Sequence, residues 1–329
     1  MSTSRAELLP LGKLEFETAA EHVCHRVPVV APDESAAAMR ARLELERFEH
    51  TAHLAVVDGG LLRGIVRIED VLPAPARMTA AALMNRDPPA VGPGIDQEQA
   101  AWHAVQRGES TLAVLDDDGR FVGFVPPARL LEVLLWEHNE DLARLGGVLR
   151  RETIARRAHD EPLGKRLWRR LPWLALGLLG ALVAAFIVEH FEATLATRLE
   201  LAMFLPGVIY LAAAVGMQTE TLIVRGLSLG FDYRRMVFVE LVTGLAIALV
   251  LPLLFFVGAV LVWGQPGLVG AVALALAAAT AAASLVAMTL PWLIARLGTD
   301  PAIGSGPLAT VTQDLLSITL YFAVATALL

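Results

Sequence analysis

The chain has a single cysteine, Cys24, in 329 residues. No disulfide framework can form within it, and a reducing compartment suits its polar part. The eight histidines show no metal-ligand spacing, and there is no Gly-rich phosphate loop, nucleophile elbow or zinc motif, so the sequence offers no enzyme. Met1-Ser2-Thr3-Ser4-Arg5 opens without an apolar run, which predicts no cleaved signal peptide. A net charge of -7 leaves no basic footprint for nucleic acid. The most informative shortage is of charge in the C-terminal half. Of 27 Lys and Arg and 34 Asp and Glu, only 5 and 8 lie beyond residue 170. The mean hydropathy is nevertheless +0.56 with 19% charged residues. The chain therefore has two unlike parts: a soluble, mildly acidic body, then a membrane part.

A helix needs about 20 apolar residues to cross the hydrocarbon core of a bilayer. Candidate spans run over 171–188 and 201–219. Between Glu240 and Arg296 there is no charge, and that stretch is too long for one span. Trp263-Gly264-Gln265-Pro266-Gly267 breaks it into two helices with a tight turn. The last span covers 305–329, making five. Gly244, Gly258, Gly270 and Ala277-Ala278-Ala279 put small residues on spans three and four, where they let helices approach closely.

Basic residues near span ends set the orientation. Lys165, Arg166, Arg169 and Arg170 precede span one; Arg225, Arg234 and Arg235 follow span two; Arg296 follows span four. Loop 189–200 is acidic apart from Arg198. The expected arrangement is a multi-pass protein of the cell (inner) membrane with its N-terminus and soluble body in the cytoplasm and its C-terminus outside. Basic residues from Arg150, Arg151, Arg156 and Arg157 to Arg170 are explained by attraction to anionic lipid.

Asp314 is the only charge in the last span. A carboxylate there costs several kcal/mol, about 3 on insertion scales, unless it lines water or meets a cation. Asp300-Pro301-Ala302-Ile303-Gly304-Ser305-Gly306-Pro307 opens the backbone just before it. An interrupted helix start followed by one acid reads as an ion path before it reads as packing. Glu220, near the end of span two, and Glu240, at the start of span three, are further pore-lining candidates. The blander alternatives are that Glu220 pairs with Arg225 and that Glu240 snorkels beside Arg235. Asp300 is an N-cap or a ligand at the pore mouth. Asp116-Asp117-Asp118 lacks calcium-loop spacing and reads as a solvated hairpin tip.

The soluble body repeats itself. His53-Leu54-Ala55-Val56-Val57-Asp58, then Gly64-Ile65-Val66, is echoed by Thr111-Leu112-Ala113-Val114-Leu115-Asp116, then Gly123-Phe124-Val125. Each pair of apolar runs around a turn reads as a β-hairpin. Pro28-Val29-Val30-Ala31-Pro32 matches Pro89-Ala90-Val91-Gly92-Pro93, each followed by a helical stretch, 34–48 and 97–107. A second helix begins at Glu69-Asp70-Val71-Leu72 and at Arg129-Leu130-Leu131-Glu132. The unit is β-α-β-β-α, used twice with a period of about sixty residues. This resembles a pair of cystathionine-β-synthase (CBS) domains over 21–136. Such pairs often bind adenosine nucleotides through Gly, two apolar residues, Ser/Thr, two residues and Asp. Here Gly64 and Asp70 fit, but Arg67 replaces the hydroxyl; in the second unit Pro126 and Arg129 stand where hydroxyl and acid belong. A structural dimerisation module is the expectation ahead of a working nucleotide site.

Residues 137–147 connect the halves. Leu134, Leu135, Leu142 and Leu145 line one stripe of a helix, and Glu137, Glu140 and Asp141 crowd another. Acids so close repel unless a cation or an arginine intervenes.

The order CBS pair, acidic connecting helix, five spans resembles the MgtE-type magnesium transporter family. Glu140-Asp141-Leu142-Ala143-Arg144-Leu145-Gly146-Gly147-Val148 resembles the end of its connecting (plug) helix, and Arg170-Leu171-Pro172-Trp173-Leu174 the start of its first span. Thr221-Leu222-Ile223-Val224-Arg225-Gly226-Leu227 resembles its second-span exit. Asp300-Pro301-Ala302, Ser305-Gly306-Pro307, Thr310, Asp314 and Tyr321-Phe322 resemble its last span. The resemblance implies a homodimer in which Asp314 holds a hydrated Mg²⁺ on the dimer axis, with carbonyls near Thr310 accepting from the ion's waters. Gly216 and Gln218 become pore-lining candidates of span two. Glu137, Glu140 and Asp141 become regulatory Mg²⁺ ligands.

The expected fold is thus α+β in the cytosol and all-α in the membrane: 1–20 an extension, 21–136 the CBS pair, 137–167 the connecting helix and basic linker, 168–329 the five-helix domain. Two departures stand out. The family's Gly-Asn-x-Gly-x-Gln reads Ala213-Ala214-Val215-Gly216-Met217-Gln218 here, and the acidic helical domain common before the CBS pair has no counterpart in 1–20. They leave two alternatives: a divalent transporter with altered selectivity (Mn²⁺, Co²⁺ or Ca²⁺), or a non-conducting membrane sensor acting through its CBS pair.

Overall fold

A computed structural model describes residues 18–146, 162–297, 300–302 and 305–329. The chain forms two compact units, 1–134 and 135–329. Arg150, Arg151, Arg156 and Arg157 of the basic linker, most of the N-terminal extension, and Ile303 and Gly304 lie outside the described residues.

The first unit contains two copies of one motif. The first copy comprises β1 (Val29–Val30), α1 (Ala36–Leu45), β2 (His53–Asp58), β3 (Leu61–Arg67), α2 (Ile68–Val71) and α3 (Ala80–Leu83). The second comprises β4 (Ala90–Val91), α4 (Gln97–Gln106), β5 (Leu112–Leu115), β6 (Phe121–Val125) and α5 (Pro127–Leu145). Each has a three-stranded sheet whose middle strand runs parallel to the short first strand and antiparallel to the third. The β2–β3 turn uses Gly59 and Gly60 at φ 60° and 88°, the left-handed region a two-residue hairpin demands. Asp96 caps α4, its Oδ1 accepting from Glu98 N (2.9 Å) and Gln99 N (3.1 Å). α2 is a single turn because Pro73 and Pro75 follow it. Its counterpart meets no proline and runs on as α5 to Leu145.

Both faces of the middle strands are covered, which explains their continuous apolar runs. Leu54 and Val56 pack with Met39, Val66 and Val71. Leu112 and Val114 pack with Ala101, Val125, Leu130 and Val133. Ala55 and Ala113, on the opposite faces, meet Val27, Ile65 and Phe124 in a shared layer between the repeats. The repeated glycines have a packing reason. A Cβ on Gly64 would lie 2.4 Å from Asn85 O, and one on Gly123 would lie 2.5 Å from Cys24 O.

Among the described residues, the second unit contains five helices long and apolar enough to cross a membrane: α6 (Leu163–His190), α8 (Glu200–Ser228), α9 (Tyr233–Trp263), α10 (Pro266–Arg296) and α11 (Ser305–Leu328). A short helix, α7 (Glu192–Thr197), joins the first two. The count is as the sequence predicts, but the helices overrun the predicted spans. α6 starts at Leu163 and carries Lys165 to Arg170 on its own first turns. At about 1.5 Å per residue, helices of this length exceed an apolar core of about 30 Å, so their charged ends reach the headgroups. The α9–α10 turn closes at Gly264 (φ 65°), whose N–H donates to Val260 O, and Pro266 starts the next helix.

α10 forms the centre of this unit. Its Val272, Leu276, Ala279 and Ala283 pack against Leu201, Phe204, Val208 and Ala212 of α8 and Ile318, Tyr321 and Phe322 of α11. Tyr321 donates its hydroxyl proton to Leu201 O at 2.7 Å. Of the small residues flagged in spans three and four, Gly244 meets Ser284, where a Cβ would come within 2.9 Å of Oγ, whereas Gly258 faces open space.

Candidate ion path and connecting-helix contacts

Asp300 Oδ1 accepts from Ala302 N at 2.8 Å in the turn ahead of α11, a local turn bond and not a cap on the helix, which begins at Ser305. One helix face then carries Thr310 and, a turn later, Asp314. Thr310 is exposed, and its hydroxyl donates to Gly306 O at 2.9 Å. Asp314 is half-buried and takes no ion pair or hydrogen bond among the described residues. The adjacent face is directed inward. Ala309, Gln313, Ser317 and Tyr321 are buried at helical spacing. Gln313 Nε2 lies 3.5 Å from Ala283 O, and its carboxamide covers Gly216, where a Cβ would come within 2.3 Å of Oε1. Gly216 is therefore explained by Gln313, a residue the sequence reading passed over although it adjoins Asp314.

The other candidates of the membrane unit separate. Gln218 is exposed and Glu240 half-buried. Glu220 is 5% exposed. Ser305 at the start of α11 is the polar neighbour that acts on it, although the geometry of Glu220 Oε1 and Ser305 Oγ meets no hydrogen-bond criterion among the described residues. The expected pair of Glu220 with Arg225 does not form. Arg225 instead reaches Asp141 of α5 at 3.4 Å, because the connecting helix brings its own carboxylate to that arginine.

α5 makes a second such contact. Arg144 pairs with Glu140, four residues before it, and with Asp300. Asp141 is 6% exposed. Burial pushes its carboxyl above the usual range, and Arg225 and Arg144 pull it back. The crowding of acids is thus resolved by arginines. Among the described residues no three His, Cys, Asp or Glu side chains gather closely enough to hold a metal ion, Glu137, Glu140 and Asp141 included. The leucine stripe is not a buried seam: Leu135 and Leu142 are both more than half exposed.

In the first unit Arg67 stands where the nucleotide signature has a hydroxyl. Its Nη2 donates to Glu109 Oε1 at 3.0 Å, and Asn85 Nδ2 donates to the same oxygen at 3.0 Å. Asp70 is exposed. Arg67 is held by a carboxylate of the other repeat, and Pro126 occupies the second unit's hydroxyl position, so these residues do not fit the nucleotide pattern.

Comparison with known proteins agrees with this layout. The sequence profile of MgtE, described as a divalent cation transporter, matches residues 205–324, and that of the CBS domain matches 80–135. The magnesium transporter MgtE of Thermus thermophilus is 32% identical over 99% of this chain and 73% of its own length. The magnesium transporter MgtE of Bacillus subtilis is 30% identical over 70% of this chain, which spans about half (51%) of that relative. Among solved structures, the cytosolic domain of the Mg²⁺ channel MgtE in complex with ATP is similar at 26% identity and a TM-score of 0.35, covering 36% of this chain and 49% of that one.

Proposed function

The chain belongs to the MgtE family of divalent cation transporters, and from that premise we propose that it moves Mg²⁺ across the cell membrane as a homodimer, gated from the cytosol by its CBS pair and connecting helix. One observation supports this most: Asp314, half-buried in the last span, takes no ion pair or hydrogen bond among the described residues. Lipid does not tolerate a bare carboxylate in a span. A second copy facing it across a two-fold axis replaces lipid with a wet path between two carboxylates.

Such a path suits Mg²⁺. The ion sheds its waters reluctantly and prefers octahedral oxygen coordination. Two carboxylates balance its charge while accepting hydrogen bonds from its water shell. The Thr310 hydroxyl is committed to Gly306 O, so Thr310 contributes to the path through its backbone carbonyl. Asp300, Gly216, Gln218, Glu220 and Glu240 remain candidates along the same route. In this reading the N-terminus and CBS pair lie in the cytoplasm and the C-terminus outside.

Glu137, Glu140 and Asp141 belong to the gate. Two of them are balanced by Arg144 and Arg225, so a regulatory Mg²⁺ ion has to displace an arginine to reach those carboxylates. By linkage the ion shifts the gate only through its preference for one state. The signature position held by Arg67, paired with Glu109, does not favour a nucleotide there.

Mg²⁺ flux into proteoliposomes holding the purified protein tests this reading. Flux is expected in the parent and absent in Asp314→Ala; full flux in that variant removes Asp314 from the path. A second reading, shifted selectivity for Mn²⁺, Co²⁺ or Ca²⁺, rests on Ala214 in place of the family's asparagine. Competition among these ions decides it, and exclusive Mg²⁺ transport rejects it.

A further inference from the structure

Two neighbouring helices each leave a notch for α11. Val311 fits against Gly180 of α6, where a Cβ would lie 2.6 Å from its Cγ1. Gln313 fits over Gly216 of α8, where a Cβ would come within 2.3 Å of its Oε1. Both glycines are buried, and Gly180 is the single buried residue of α6. The Val311 side chain is stiff, since a β-branched residue in a helix keeps to one favoured rotamer. Gln313 is 3% exposed and also reaches α10, its Nε2 lying 3.5 Å from Ala283 O.

Helix geometry puts the ion face between these two contacts. Successive residues of an α-helix stand about 100° apart around its axis, so Val311 and Gln313 bracket an arc of about 160°. Thr310 and Asp314 both project within that arc, each about 60° from one bracket and about 100° from the other. The helix is therefore stopped on both sides of its ion-facing residues, by α6 at one edge and by α8 at the other.

Small rotations matter at such a face. Side chains end about 5–6 Å from the helix axis. A methyl added at Gly180 has to retreat to an ordinary carbon–carbon contact of about 3.5–4.0 Å, a shift of about 1 Å. Turning α11 to make that room moves the Asp314 carboxylate by about the same 1 Å, and a two-fold pair of them by up to about twice as much. A hydrogen bond from water to a carboxylate spans only about 2.5–3.0 Å, so a displacement of that size exceeds its tolerance.

We propose that Val311 in the Gly180 notch and Gln313 in the Gly216 notch are positioning residues that set the rotation of α11, and through it the ion discrimination exerted by Asp314. This rests on the reading of Asp314 as lining the ion path. Mg²⁺ keeps its waters and its octahedral shape, so carboxylates that grip it through those waters have to stand at one distance. Ca²⁺ accepts variable oxygen coordination and is less exacting about where the carboxylates stand. A turned α11 thus weakens the hold on hydrated Mg²⁺ more than it weakens passage of Ca²⁺.

The test compares Mg²⁺ and Ca²⁺ flux through the full chain in proteoliposomes. Gly180→Ala and Gln313→Ala are each expected to lower the Mg²⁺:Ca²⁺ flux ratio by about fivefold or more. Val311→Ala added to Gly180→Ala makes room for the new methyl and is expected to bring the ratio back to within about twofold of the parent. Gly244→Ala controls for mere destabilisation. Its Cβ would come within 2.9 Å of Ser284 Oγ, in a contact between α9 and α10, and it is expected to keep the parent ratio. A second readout needs no flux. In a Cys24→Ser background, Asp314→Cys puts the chain's single thiol on the ion face. Its rate of labelling by a charged thiol reagent is expected to change by about threefold or more in Gly180→Ala, and to return when Val311→Ala is added. A flux ratio and a labelling rate both unchanged in folded Gly180→Ala overturn the proposal, as do equal changes in Gly244→Ala. A parent without flux strikes the transport reading instead, and the labelling rates then decide by themselves whether the notches set the helix.

Discussion

Arg144 of the connecting helix pairs with Asp300, the last acid before the fifth span, and the two side chains are only 13% and 21% exposed. A tethered guanidinium thus occupies the carboxylate that a cation approaching α11 would meet. Arg144→Gln takes the guanidinium away from Asp300. The expected outcome is higher Mg²⁺ flux at cytosolic Mg²⁺ levels that close the parent. Asp300→Asn acts in the same direction, and the double variant adds little, with a coupling of about 1–3 kcal/mol between the sites. Proteoliposome flux with cytosolic-side Mg²⁺ varied measures it; a variant that closes at the parent's Mg²⁺ level denies Arg144 this role.

Thr310 and Asp314 share a face, but they are expected to respond differently to substitution. Asp314→Asn keeps the shape and loses the charge, and flux is expected to fall by more than about tenfold, or 1.4 kcal/mol in the barrier. Thr310→Val removes a hydroxyl already used on Gly306 O and is expected to keep flux within about twofold, because the backbone carbonyl remains. Equal losses in the two variants contradict this division of labour.

Gly216 and Gln313 form one packing unit. Gly216→Ala drives a methyl into the carboxamide, at an expected cost of about 1–3 kcal/mol. Gln313→Ala in the same chain is expected to recover most of it. Melting temperatures in detergent decide this, and a second substitution that makes matters worse shows that the glycine serves something else.

The buried His53 and the part-buried His50 make the first unit acid-sensitive. Burial and the neighbouring His53 push His50 down to about 4 in the folded chain from an ordinary 6.5, so the unfolded chain binds more protons between those values. His53 is displaced the same way. Stability is therefore full above about pH 6.5 and falls as pH drops toward 4, by about 1–2 kcal/mol after allowing for the partial exposure of His50. His50→Gln flattens that part of the stability–pH curve. Melts across the range, parent against variant, measure it; identical slopes remove His50 as the cause.

Much of this was legible in the residues alone. Hydrophobic length gave the five helices, because a bilayer fixes how many apolar residues a span needs. Gly264 and Pro266 marked the α9–α10 turn through their own backbone limits. The echo of His53–Asp58 in Thr111–Asp116 gave the doubled motif, because a repeat writes the same burial pattern twice. Asp314 stood out because a charge in a span is costly wherever the helix is placed.

Pairings across long separations were decided by tertiary structure. Nothing local says that Arg225 takes Asp141 and not Glu220, or that Arg144 bridges Glu140 to Asp300. Nor does spacing show that Gly216 is small for the sake of Gln313, or Gly180 for that of Val311. Composition and periodicity report what each residue needs, such as burial, water or a counter-charge. Which partner meets that need depends on which helices and strands pack together, and only the folded chain sets those distances.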